Sequence, residues 1–402
     1  ASARRGAGVP AEEVDGLLLD QLGRWPDGDM VDDATWALVW PRIQSGAWEE
    51  AVFMADQVLH RVPRARSYRA EGRVLYWKGR ALQHLERQDE AVASFKEVMR
   101  RYPLSWYCVL SHGRLTQISP EIAQTALSEA VASSQPLPDP LVKIPPVLWE
   151  DAHFRRGVAM LRTGLIRSAG RELKAARAGG GDEDKRVLSW IRAALFHRAG
   201  VYDRSVSLAR AEEPSFGAAW PVGYHRRLWE IAHPRGFGDL VDQWAGTRGI
   251  DANWILSIIR EESGFNPRVE SWANAIGLMQ IILPTAKSLV RGTSHKATPA
   301  TLRRPEVAIE LGSKYLAKLL GEHKVIPLAS SGYNAGSGAM RRWRREFGDV
   351  ELDRFVEQIP YREARGYAKR VTRSLARYTW LYGGEQMLSL DLSPPGPPES
   401  KK

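Results

Sequence analysis

The residues with the plainest capacity for chemistry begin at position 253. Asn253–Glu262 predicts a short amphipathic helix, with Trp254, Ile255, Ile258 and Ile259 on its apolar face. Ser263-Gly264 and then Asn266-Pro267 stop it, because a residue before proline is pushed out of helical geometry. Glu262 therefore sits at the helix C-terminus, facing the negative end of the helix dipole. Apolar neighbours such as Phe265 would also strip water from it. Both effects favour the protonated carboxyl, the state a general acid needs near neutral pH. Glu261 is adjacent but points about 100° away around the helix, so the two form no carboxylate dyad. Other chemistries lack support. Ser330, Ser331 and Cys108 have no identifiable base partner, and the nine histidines do not fall at metal-ligand spacings. No metal site and no cofactor are expected.

The elements that must position this glutamate are helical. The chain has 402 residues, 44% hydrophobic and 26% charged, which is globular composition and excludes a mostly disordered chain. No apolar run approaches the roughly 18 residues of a membrane span, and one cysteine can form neither an internal disulfide nor a cysteine-based zinc site. The net charge of +10 favours anionic partners. Nucleic acid is not among them, because no helix-turn-helix, zinc or basic-aromatic pattern accompanies the charge.

Residues 1–10 read as a flexible end, and the Pro-rich stretch 389–402 as a disordered tail. Between them, 11–235 reads as helix after helix with an internal repeat. Glu50/Glu90, Ala51/Ala91, Val52/Val92, Val58/Val98, Arg61/Arg101 and Pro63/Pro103 match at an offset of 40. Weaker echoes follow at Gly164–Arg177 and Gly200–Arg210. Small alanines let antiparallel helices approach, and proline stops the second helix. These units resemble tetratricopeptide-like hairpins, so an α-helical solenoid is expected here, with a long surface able to take a partner. His233-Pro-Arg-Gly-Phe-Gly238 then signals a hinge, and 236–388 is a second helix-rich domain with non-repeating polar clusters.

That second domain resembles a known family. Glu262-Ser263, Phe265-Asn-Pro267, Ser271, Gly277-Leu-Met-Gln-Ile281, Thr285-Ala286, Tyr333-Asn-Ala-Gly336, Glu363-x-Arg365-x-Tyr367 and Arg370-Val371 stand in the order and spacing of the soluble lytic transglycosylases. The resemblance implies an all-α chain in which a helical superhelix precedes a lysozyme-like domain. Three departures are visible. Asn274 stands where the family has Gly, which Asn can replace in left-handed geometry. Pro284 comes one position late. Gly332 and Ala364 replace Ala and Thr.

Most glycosidases use two carboxylates, and this sequence offers one strong candidate. Either a second acid comes from elsewhere or the substrate supplies the second function. The resemblance implies the latter. Glu262 would protonate the bond between N-acetylmuramic acid and N-acetylglucosamine in peptidoglycan. It would then act as base on the muramyl C6 hydroxyl, which closes a 1,6-anhydro ring. By the same resemblance Ser271 would hydrogen-bond a sugar, and Met279 and Gln280 would line the groove. Tyr333 would orient the carboxyl or an N-acetyl group. Asn334 would shape the turn before Gly336 at the groove, and Glu363 would hold a polar network beneath it or touch sugar. Arg365 would pair with a carboxylate in the fold. A hydrolase acting on the same bond and a non-catalytic glycan-binding scaffold are the alternatives. The substrate implies a periplasmic or cell-envelope location.

Overall fold

A computed structural model describes residues 11–62, 70–134, 141 and 144–398. The expected flexible segment 1–10, Pro63 of the repeat and residues 399–402 lie outside the described residues. The described chain is all-α apart from one small antiparallel ribbon, Ala275–Ile276 against Ile281–Ile282.

The chain separates into two compact units: residues 1–134 with 389–392, and residues 135–388 with 393–402. In the first, the repeat coincides with two 14-residue helices 40 positions apart, Trp48–Arg61 and Gln88–Arg101. Ala51, Val58, Ala91 and Val98 are buried, as facing positions of a helical hairpin must be. Each hairpin turn closes by the same bond across six residues. Ala47 N donates to Arg42 O at 3.0 Å, and Arg87 N donates to Leu82 O at 2.9 Å. Gly46 takes the left-handed residue of the first turn (φ 75°), whereas Glu86 takes it in the second (φ 59°). Close helix approach also depends on Gly79, where an added Cβ would stand 2.7 Å from the Phe95 ring.

The second unit opens with hairpins of the same kind. Ala152–Arg162 pairs with Ile166–Ala175, and Asp182–Arg198 with Tyr202–Ala211. The weaker sequence echoes at 164 and 200 are their turns, closed by Leu165 N to Met160 O and Val201 N to Phe196 O, both 2.9 Å. The same unit continues through the helices that carry the polar motifs. The chain does break between Arg226–Ala232 and Gly238–Arg248. The break is nevertheless fastened to the long C-terminal helix Arg362–Tyr382. Tyr382 donates to His233 O at 2.8 Å and Tyr378 to Pro234 O at 3.0 Å. The pattern change near residue 236 thus falls inside one compact unit.

The Pro-rich tail corrects an expectation. Residues 389–398 are placed rather than disordered. Leu392 is buried against Gly113 in the first unit. In the second, the Arg344 guanidinium donates to the carbonyls of Pro395, Gly396 and Pro397 at 2.8–3.0 Å, and Gly396 N donates to Gly348 O at 2.8 Å. Composition signals disorder because prolines bury little apolar surface. Here main-chain acceptors supply the attachment instead.

Candidate active site

The helix that carries the candidate acid spans Ala252–Ser263, one residue longer at each end than expected. Asp251 caps its start by accepting from Asn253 N at 2.7 Å, and Gly264 ends it in left-handed geometry (φ 55°). Trp254, Ile255, Ile258 and Ile259 are all buried, so the apolar stripe fixes the helix rotation. Trp254 Nε1 donates to Ser330 Oγ at 3.0 Å, and Ser331 donates to Ala364 O at 3.2 Å. Those two serines are therefore packing groups. Cys108, buried, has its thiol pushed up to about 12 by desolvation.

The two adjacent glutamates have opposite environments. Glu262 accepts a hydrogen bond from Tyr367 Oη at 2.5 Å. Burial raises its carboxyl to about 7, against the lowering influence of that bond and of Arg370, and with Glu261 and Glu363 adding to the rise. For Glu261 burial also acts upward, but Arg210, Arg260 and Arg373 overcome it and hold the group at about 2. Its Oε1 lies 2.8 Å from Arg260 Nη1 and accepts from Ser374 Oγ at 2.6 Å. One carboxyl is thus poised to give a proton at neutral pH, while its neighbour is a fixed anion.

The long C-terminal helix supplies most of these partners. Tyr367, Arg370, Ser374 and Arg377 recur at three- and four-residue spacing and form one stripe. Arg370 lies 5.6 Å over the Tyr367 ring and pairs with Glu363 at 2.6 Å.

The other sequence-predicted residues shape the surroundings. Ser271 closes the turn before the ribbon: its hydroxyl accepts from Ala275 N at 3.1 Å. Asn274 is left-handed (φ 58°), as its substitution for glycine requires. Pro284 sits in the first turn of Leu283–Leu289, where its missing N–H costs nothing. Gln280 also has positive φ (46°), and its side-chain amide donates to Gly277 O at 2.9 Å. Met279 is fully buried, and its carbonyl accepts from Tyr333 Oη at 2.7 Å. Tyr333 therefore spends its proton on the main chain, and Tyr367 is the tyrosine that holds the carboxyl. Asn334 is exposed. Glu363 is exposed and bound to Arg370 rather than sunk beneath the site. Arg365 donates to the carbonyls of Glu357 and Ile359, both 3.2 Å, and not to a carboxylate.

Beside Glu262 opens a cavity of about 700 Å³. Ser263, Gly264 and Asn266 border it on one side, and Lys174, Arg192 and Arg204 of the hairpins on the other. Among the described residues no group of three or more His, Cys, Asp or Glu could hold a metal ion, and no helix is long and apolar enough to cross a membrane.

Comparison with known proteins agrees with this geometry. Residues 239–356 match the family described as Transglycosylase SLT domain. The soluble lytic murein transglycosylase of Salmonella typhimurium is 34% identical over 174 residues, 41% of this chain and 27% of its own length. Its Escherichia coli K12 counterpart is 34% identical over 171 residues, 40% of this chain and 26% of its own length. The chain thus spans about a quarter of the length of those relatives. A membrane-bound lytic murein transglycosylase C from Histophilus somni is 31% identical over 173 residues, 37% of this chain and 47% of its own. The fold is shared with lytic transglycosylase Slt of Pseudomonas aeruginosa (TM-score 0.66, 23% identity, 92% of this chain and 56% of that one). It is shared as well with the 70 kDa soluble lytic transglycosylase of Escherichia coli (TM-score 0.62, 20% identity, 93% and 58%). The sequence match, with a glutamate at a half-buried helix end inside it, assigns residues 239–356 to the transglycosylase SLT domain family.

Proposed function

We propose that this chain is a peptidoglycan lytic transglycosylase that cleaves the β-1,4 bond between N-acetylmuramic acid and N-acetylglucosamine without water. The observation that carries the reading is the split between the two carboxyls: Glu262 is protonated up to about pH 7, while Glu261 is committed to arginines. One acid is thus available, and in this reading, as the family resemblance implies, the substrate supplies the nucleophile. Glu262 gives its proton to the glycosidic oxygen, and the C1–O4 bond breaks with its electron pair going to that oxygen. Tyr367 donates to the carboxylate left behind and steadies it. The carboxylate then takes the proton of the muramyl C6 hydroxyl as O6 bonds to C1. The product ends in 1,6-anhydromuramic acid, and Glu262 is again protonated.

Ser271, Gln280, Tyr333, Met279 and Asn334 serve as the groove's walls and turns, and Glu363 as a rim acid held by Arg370. The relatives' names support murein as the substrate class. Two of the structural neighbours are an inactive glutamate-to-glutamine mutant and a complex with bulgecin A. The cationic cavity wall suits a polymer bearing free carboxylates. A cell-envelope location follows from the substrate, and the hairpin surfaces are open to a protein partner.

Mass spectrometry of muropeptides released from purified sacculi tests the reading. Products one water lighter than reducing muropeptides are expected. Ordinary reducing ends would replace it with hydrolysis, and bound but uncleaved sacculi would replace it with a scaffold role.

A further inference from the structure

Arg210 belongs to the hairpin helix Tyr202–Ala211, outside the matched segment 239–356, yet it reaches the helix that carries Glu262. Its guanidinium donates to the Arg260 carbonyl, one of the last-turn carbonyls of that helix, and lies 3.7 Å from Glu261 Oε1. Its side chain is 39% exposed and borders the same cavity as Glu262. Glu261 itself is 4% exposed, so its charge is screened by little water. Nearby, Glu213 follows the same hairpin and meets Arg373 at 3.1 Å and Arg377. The hairpin thus enters the region of the acid through two charged residues, one of which touches the helix end directly.

We propose that Arg210 is a positioning residue for Glu262: it fastens the last turn of the acid's helix and keeps Glu261 in place as a buried anion beside the acid. The helical hairpins then help to place the acid. This inference rests on the reading of Glu262 as the acid. The groups facing Glu262 are Glu261 on its own helix, Tyr367, Arg370 and Glu363 on the C-terminal helix, and Tyr333. Those facing Glu261 are Arg260, Arg210, Arg370, Arg373 and Ser374. Arg210 therefore reaches the acid through the helix turn it fastens and through the anion beside it.

The two members of the pair have opposite electrostatic signs, which separates this role from mere stability. In the full chain, Arg210→Met removes a cation and should move the alkaline limb of the pH–rate profile up by about half a pH unit. Glu261→Gln removes an anion and should move that limb down by about one unit. Arg210→Met should also lower kcat about tenfold with little change in KM, and Arg210→Lys should restore most of it. The second readout needs no activity: titration of the Glu262 carboxyl by ¹³C NMR, its signal assigned by its absence in Glu262→Gln. Opposite shifts in the two variants support the inference. Shifts of one sign, an unmoved titration in folded Arg210→Met, or a shift in Arg210→Lys as large as that in Arg210→Met, overturn it. If the wild type forms no anhydro product, the functional reading fails, and the NMR titration still decides whether Arg210 governs Glu262.

Discussion

The exposed faces of the hairpins and the surroundings of Glu262 are both built from helices, yet they place charge differently. On the hairpins, several ion pairs are local and wet: Arg87 with Glu90, Arg100 with Glu97, and Lys185 with Asp182 are three residues apart. Around Glu262 several polar contacts are distant in sequence and largely buried. Tyr367 reaches Glu262 across 105 positions, Ser374 reaches Glu261 across 113, and Arg377 reaches Glu213 across 164. Local exposed pairs decorate an element whose fold is set by apolar stripes. Long-range buried pairs cost desolvation and hold only when every partner is in place. Their presence at one location marks where position and charge must be controlled.

The comparison can be broken at its extreme. Glu262→Gln should abolish cleavage of sacculi, by about a thousandfold or more, measured by release of soluble muropeptides. The fold should not suffer. With a folded value of about 7, the Glu262 carboxyl binds a proton that the unfolded chain releases above its ordinary range. Its contribution to stability is therefore lost as pH rises toward and through 7, and the glutamine variant should gain melting temperature relative to wild type at pH 8. Glu261 runs the other way: held at about 2, it stabilises above its ordinary range and loses that contribution as pH falls toward 2.

Glu213→Gln removes the carboxylate shared by Arg373 and Arg377 and should cost about 3–5 kcal/mol in denaturant unfolding. A hairpin contact should fail by sterics instead. Gly79→Ala places a Cβ against the Phe95 ring and should cost about 1–3 kcal/mol by the same measurement, with catalysis per folded molecule unchanged. Tyr367→Phe should lower kcat about tenfold. It should also shift the alkaline limb upward, since its hydrogen bond lowers the Glu262 carboxyl. Arg87→Ala, on the exposed face, should leave stability essentially unchanged in the same denaturant measurement. A loss there as large as that at Glu213 would erase the contrast.

What the sequence disclosed follows the same division. The end of the acid's helix was legible because Gly264 and Pro267 act on their own neighbours, and apolar spacing fixed which face is buried. The hairpin turns were legible from the offset of 40, although Glu86 stands where glycine would be looked for. Asn274 was readable for the same local reason. The stripe Tyr367, Arg370 and Ser374 was not read as part of the site, because nothing local reports which helix it meets. Three- and four-residue spacing of polar groups on an otherwise buried helix was the available signal. Arg210 had no signal at all. The tail was misread because composition averages over side chains, while its anchoring rests on one leucine, Leu392, and on main-chain oxygens.

That anchoring has a consequence for how the C-terminus can change. Arg344 reads a row of main-chain oxygens at 395, 396 and 397. Every amino acid offers the same oxygen, so the lettering of the segment is free to drift. Its length is not, because an insertion or deletion between 383 and 395 would slide the row past a fixed reader. Gly396 is the exception to the free lettering, since its positive φ (65°) strains any other residue, and the reader's side is fixed as well, because a Cβ on Gly348 would stand 2.6 Å from the Gly396 carbonyl oxygen. The segment behaves as a ruler whose markings can be rewritten while their spacing cannot.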